Sequence, residues 1–156
     1  LSRIDARLVE LGIELPVVVP PLAAYTPAVV DGDHVHVSGQ LPMVDGALPE
    51  TGKVGEGADL VTAEDAKGYA RRCALNGLAA AKSVIGSLDR ITRVVKVVGF
   101  VASDPSFTGQ AAVINGASEV LGEIFGDAGV HARSAVGMAV LPFDSPVEVE
   151  LILTIE

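Results

Sequence analysis

The strongest constraint on this chain is a run of β-branched and apolar residues from 91 to 103, ITRVVKVVGFVAS, flanked by two helix-length segments. Such a run reads as a central strand. Before it, Thr62 is placed as an N-cap, with Glu64 and Asp65 in the first turn where the helix dipole favours carboxylates. The helix it opens runs to about Ile85, and its Ala and Gly content suits close packing on a sheet. After it, Asp104-Pro105 breaks the strand, and a second helix fits 108–125, ending at Gly126. Two further strands fit 133–141 and 147–155, joined by Pro142 to Pro146. Near the start, Ile4, Leu8 and Leu11 give a short helix over 2–11 that Gly12 can end, and Pro16 to Pro21 give an extended entry. The turn Asp31-Gly32-Asp33 joins short strands at 28–30 and 34–38 as a hairpin. The order helix, hairpin, helix, strand, helix, hairpin predicts an α+β fold: an antiparallel or mixed sheet with two long helices on one face. Apolar surface left on the other face is available to an oligomer.

A length of 156 residues suits one domain, 1–156, with one core. No repeat or linker divides it. Residues 42–60 are rich in Gly and Pro and read as a loop, one that could be mobile. The formal net charge of −9 opposes nucleic-acid binding, which depends on Lys and Arg neutralising phosphates. The local basic pair Arg71-Arg72 reads as a solvated helix face. Cys73, the single cysteine, sits among Ala70, Ala74 and Gly77 as a buried structural thiol. One thiol makes no internal disulfide, and no membrane span or signal peptide is visible, so a cytoplasmic protein is expected.

Arg133 is the most informative candidate. It is the one Lys or Arg after Lys96, in a stretch holding eight acidic residues. It opens a strand whose same-side neighbours Ala135, Gly137 and Ala139 are small. A solitary guanidinium over low relief suits two-pronged pairing with a carboxylate, and the alternative is a surface ion pair. His131 shares its parity, with a solvated loop as the other reading. His34 and His36 share a strand face but lack a third ligand at metal-binding spacing, so no metal is expected. No phosphate loop, dinucleotide fingerprint or Ser-His-Asp motif is present, and no cofactor is expected.

Several strings resemble the Rid (YjgF-type) family, whose best-known branch is the imine/enamine deaminase RidA. They are Val37-Ser38-Gly39-Gln40-Leu41-Pro42, Arg133-Ser134, Val140-Leu141-Pro142 and Val147-Glu148-Val149-Glu150. Supporting strings are Ala70-Arg71 with Asn76, Val95-Lys96 leading to Phe100-Val101, and Asn115, so the resemblance covers roughly 19–155. It implies a chorismate-mutase-like (YjgF-like) fold, to which the short N-terminal helix is extra, and a homotrimer with clefts between subunits. It also implies hydrolysis of enamines and imines such as 2-aminoacrylate to 2-keto acids and ammonia, as a 2-iminobutanoate/2-iminopropanoate deaminase does. On this resemblance Arg133 binds the substrate carboxylate and Glu148 holds the attacking water. Tyr25, Ser38, Gly39 and Asn115 line the pocket, and Ala135 stands where the family often has cysteine. Other readings are a non-catalytic trimer that binds a small carboxylate or holds damaged proteins, and an endoribonuclease, a label family members also carry.

A hairpin formed by the last two strands would turn near Asp144, placing Glu148 opposite Val140 and Arg133 opposite Ile155. Arg133 and Glu148 would then lie about 23 Å apart along the ribbon. On that register, one site using both needs two chains.

Overall fold

The computed structural model describes residues 1–18 and 23–156. The second half of the Pro16 to Pro21 segment lies outside the described residues. Helix α1 spans Arg3–Glu10 and is capped by the Ser2 side chain, which accepts from the Asp5 N–H. Strands β1 (Ala28–Asp31) and β2 (His34–Gln40) form the expected hairpin, with Gly32 at φ +61° in the two-residue turn. Helix α2 covers Ala63–Ile85, and the Thr62 hydroxyl accepts from the Asp65 N–H as its cap. Strand β3 is Ile91–Ala102, helix α3 Gln110–Phe125, β4 Ala132–Met138 and β5 Val147–Ile155.

The sheet order is β1-β2-β5-β3-β4, and this overturns the expected final hairpin. Strand β4 pairs in parallel with β3, Val97 opposite Arg133, and β5 lies antiparallel between β2 and β3. The physical reason lies in the connections. A helix joins β3 to β4, and a strand-helix-strand unit returns the second strand in the same direction as the first. Strand β5 alternates without a break, with Val147, Val149, Leu151, Leu153 and Ile155 all buried, and it fills the centre of the sheet.

Both long helices cover one face. Leu78 on α2 and Ile114, Ala117 and Leu121 on α3 are fully buried with Val35, Val94, Val97 and Leu151 of the strands. Each such Leu, Ile or Val side chain contributes roughly 1.5–3 kcal/mol on burial. The helices touch at Gly116, where a Cβ would collide with the Lys67 carbonyl oxygen. Glycine there sets the depth at which α3 sits, and with it the height of Asn115 above the sheet. Helix α1 docks through Ile4 and Leu8, and Asp89 accepts the N–H groups of Arg3 and Ile4 at 3.0 and 2.7 Å.

The 42–60 segment is tied down rather than loose. Val54 and Val61 are buried, Val54 N–H donates to the Ala102 carbonyl, and Gly52 N–H to the Asp144 carbonyl. The Tyr69 hydroxyl donates to Glu50 at 2.8 Å, and burial together with that carboxylate pushes the phenol up to about 12.

Among the described residues no helix covers the other face of the sheet. There Val29, His36, Lys96, Val98, Phe100, Val136, Met138, Glu148, Glu150 and Ile152 are half-buried or exposed. A shallow depression of 230 Å³ in it is lined by Val29, His36, Ser38, Lys96, Val98, Glu150 and Ile152.

Candidate functional site

The predicted residues fall into two groups. The first lies on the helix side of the edge strand β4. Arg133 projects toward α3, where Ala111, Asn115 and Ser118 occupy one stripe at spacings of four and three residues. Its Nη1 donates to Asn115 Oδ1 at 2.8 Å and to Ser118 Oγ at 3.2 Å, and its Nη2 to the Ala111 carbonyl at 3.3 Å. Asn115 and Arg133, both named on the family resemblance, are thus joined by a direct hydrogen bond. Both hydrogens of Nη1 are occupied. The Nε–H and one Nη2–H have no partner among the described residues, and these two donors form the parallel side fork of a guanidinium. Ala135 and Gly137 follow on the same face, paired with Gly99 and Val101, and Ala139 lies beyond the strand. At Gly137 small size has a direct reason: a Cβ would meet Gln110 Nε2 at 3.0 Å and Ser103 Oγ at 3.2 Å.

Next to Arg133, His131 is not a solvated loop residue. Its Nδ1 lies 2.6 Å from the Gly129 carbonyl oxygen and its Nε2 2.9 Å from Ser118 Oγ. Sequence reasoning placed His131 near Arg133 by parity but missed Ser118. The signal that reveals it is helical: Ser118 stands three residues after Asn115.

The second group lies around a β-bulge in β2. Val37 pairs with Leu151 and Gln40 with Val149, so Ser38 and Gly39 together face Glu150. Ser38 Oγ donates to the Thr26 carbonyl at 2.7 Å, which fastens the bulge to the segment entering β1. Asn76 on α2 donates to the carbonyls of Leu41 and Met43 at 2.9 and 3.2 Å and holds the chain as it leaves the bulge. Glu148 alternates with the buried Val147 and Val149, so it points to the uncovered face. A Cβ at residue 39 would collide with Glu148 Oε1, so Gly39 lets the carboxylate lie across the bulge. Glu148 is half-buried, with no hydrogen-bond or ion-pair partner among the described residues. Burial, reinforced by Glu150 two residues along, raises its carboxyl above the ordinary glutamate range. Tyr25, 56% exposed, precedes β1 at the sheet edge opposite β4.

The two groups do not meet within one chain. Arg133 is level with Val97 and Leu151, whereas Glu148 is level with Phe100. Two strand spacings and three residues of rise separate their Cα atoms by about 14 Å. Their side chains also leave opposite faces of the sheet. This geometry replaces the 23 Å estimate, whose hairpin register was wrong.

Residues 5–155 match the model of the family described as "YjgF/chorismate_mutase-like, putative endoribonuclease". The chain belongs to the YjgF family. It is 43% identical to Protein TCP17 of Trypanosoma cruzi over 153 residues, 97% of this chain and 94% of that protein. The crystal structure of Atu1372 from Agrobacterium tumefaciens, a protein of unknown function, is 46% identical, with a TM-score of 0.88 over 98% of this chain and 92% of that one. A "putative endoribonuclease" from Shewanella oneidensis is 32% identical, with a TM-score of 0.92 over 99% and 100% of the two chains. The chorismate-mutase-like α+β fold of the YjgF family, a mixed five-stranded sheet under two long helices, is the one observed here.

The remaining candidates resolve as follows. Cys73 is fully buried, and burial drives its thiol well above the ordinary range, as for an inert core residue. Arg72 is not a solvated face residue: its Nε donates to the Met43 carbonyl at 3.0 Å. Arg71 approaches Glu123 at 3.9 Å. His34 pairs with Asp33 at 2.8 Å, and no group of three or more His, Cys, Asp or Glu able to hold a metal occurs among the described residues. No helix among them is long and apolar enough to cross a membrane.

Proposed function

We propose that this YjgF-family chain hydrolyses reactive enamine and imine intermediates of the 2-aminoacrylate type to 2-keto acids and ammonia. The observation that carries the reading is the Arg133 guanidinium, whose Nη1 is fully engaged by α3 while its Nε–Nη2 fork is left for a ligand. A fork of that shape on a short, small-residue surface suits the carboxylate of a small acid. An iminium carbon is already electrophilic, so what remains is to place a water and manage its proton. Glu148, unpaired and raised above its ordinary range, suits that task. An enamine first takes a proton at its β-carbon to become the iminium. Glu148 then takes a proton from the attacking water as the C–O bond forms and gives it to the amine nitrogen of the resulting carbinolamine. It takes the hydroxyl proton as the C–N bond breaks, the C=O bond forms and ammonia leaves.

Because Arg133 and Glu148 leave opposite faces of one sheet, this reading takes them from neighbouring copies. The Arg133 edge of one chain meets the Glu148, Ser38 and Tyr25 region of the next. A closed homotrimer, with the uncovered faces of the three sheets turned inward, satisfies this and also buries Val29, Val98, Phe100, Val136, Met138 and Ile152. A non-catalytic carboxylate sensor or holdase would use Arg133 equally but has no need of an unpaired carboxylate. An endoribonuclease needs a basic groove, which a net charge of −9 does not favour. The decisive experiment measures ammonia and keto-acid release from enzymatically generated 2-aminoacrylate and longer-chain imines. Turnover above the buffer rate that is lost in Arg133→Ala is expected. Turnover indifferent to Arg133, or RNA cleavage that follows the purified protein, overturns the proposal.

A further inference from the structure

Behind Arg133 runs a polar chain whose other members have no part in the mechanism above: the Gly129 carbonyl, His131 and Ser118. Its direction follows from the ends. A carbonyl oxygen can only accept, so at 2.6 Å the His131 Nδ1 must carry the hydrogen that Gly129 receives. In the neutral ring Nε2 is then a bare acceptor, and the Ser118 hydroxyl at 2.9 Å must donate to it. With its single hydrogen turned to His131, Ser118 shows the guanidinium only lone pairs, and it accepts from Arg133 Nη1 at 3.2 Å. At the other end the guanidinium is a pure donor, which agrees.

We infer that His131 and Ser118 are positioning residues for Arg133. His131 sets the polarity of the Ser118 hydroxyl, and Ser118, with Asn115, holds Nη1 so that the Nε–Nη2 edge faces the carboxylate of a small 2-keto or 2-imino acid. The inference rests on the reading of Arg133 as a carboxylate anchor and extends it to the residues behind that anchor. Ser118 serves as a relay in this arrangement rather than as a nucleophile, because the hydrogen bond it accepts from a cationic guanidinium makes its oxygen less nucleophilic. The chain also gives a reason for arginine at 133. Lysine has no second edge to present once its ammonium is turned toward Asn115 and Ser118.

The test combines NMR of the full-length protein with titration by 2-oxobutyrate, a stable 2-keto acid. Long-range nitrogen–proton correlations should show neutral His131 as the Nδ1–H tautomer, and a Nε2–H tautomer overturns the inference. The Arg133 Nη signals should be sharp and separate in the wild type and collapse in Ser118→Ala and in His131→Phe. Affinity for 2-oxobutyrate should fall about three- to tenfold in each variant, as for loss of one hydrogen bond. The double variant should be little worse than either single one, since both break the same chain. Ser118→Thr, which keeps the hydroxyl, should restore affinity. If 2-oxobutyrate binding depends on Arg133 but is unchanged in Ser118→Ala and His131→Phe, the positioning role is wrong and the deaminase reading stands. If Arg133→Ala binds as the wild type does, the carboxylate-anchor reading fails. In that case the Arg133 Nη signals still decide whether Ser118 holds the guanidinium.

Discussion

The Arg133 cluster and the Glu148 bulge are built on opposite physical terms. Arg133 is held by three acceptors of its own chain, on the face of the sheet that the helices cover. Glu148 lies on the face that no helix of the described residues covers, has no partner among those residues, and has its carboxyl raised by partial burial. On the proposed deaminase reading, the first is a binding element that one chain completes, and the second is a carboxylate whose surroundings a second copy and a water complete. On that reading the site separates recognition, which needs fixed geometry, from proton transfer, which needs a group able to take up and release a proton.

The sharpest way to break the comparison is to destroy each half in turn. Arg133→Ala and Glu148→Ala should each abolish imine turnover. If the halves come from different copies in a ring, mixing and reassembling the two inactive proteins should restore about a quarter of wild-type activity, the fraction of interfaces that receive both native residues. No recovery on reassembly would place both residues in one chain and contradict the geometry. Arg133→Lys keeps the charge and loses the fork. It should lose about 1.5–3 kcal/mol of transition-state stabilisation, read as a drop in kcat/KM.

A subtler substitution probes the bulge alone. In Gly39→Ala the new methyl must push the Glu148 carboxylate aside, and the atom displaced is the end of a flexible side chain. Activity should fall about tenfold or more through kcat, whereas denaturation should report a stability loss of about 1 kcal/mol at most, near the low end for overpacking. An equal loss of stability and activity would mean that Gly39 serves the strand and not the carboxylate.

The smallest effect concerns pH. Glu148 has a folded-state pKa above its unfolded value, so between the two the folded state binds more protons. Stability therefore falls as pH rises from the ordinary glutamate value of 4.5 through the raised one. Glu148→Gln should remove that decline and leave the protein slightly more stable at neutral pH. In wild type, kcat/KM should decline on the acid side as Glu148 takes up its proton, at a pH above 4.5. An acid limb unchanged in position when Glu150 is replaced by Gln would show that Glu150 does not contribute to the shift.

Most elements could be read from the sequence because their signals are local. Thr62 and Gly126 mark helix ends through cap chemistry, and the Ile91–Ala102 strand through its β-branched run. The partners of Arg133 were half legible: Asn115 came from the family resemblance and His131 from strand parity, while Ser118 needed the helix phase. Strand order was misread because pairing is not local. Asp144 between two apolar stretches resembles a hairpin turn, yet Phe143 and Asp144 both adopt positive φ in a connection that carries the chain past β3. The strand-helix-strand pattern over 91–138 held the correct signal, a parallel unit, and it outranked the turn. The 42–60 loop looked mobile from its Gly and Pro, but Val54 and Val61 anchor it in the core.

The central place of β5 has a consequence for how the chain is made. Of the five strands it is the last to leave the ribosome, yet it lies between β2 and β3. Until it arrives, the β1–β2 hairpin and the β3–α3–β4 unit are two half-sheets, each with an open edge and an apolar face. Such edges recruit other chains, so the nascent protein is most prone to aggregate just before synthesis of this segment ends. A truncation at residue 146 would therefore remove the strand that joins the two halves, and such fragments should be insoluble rather than merely inactive.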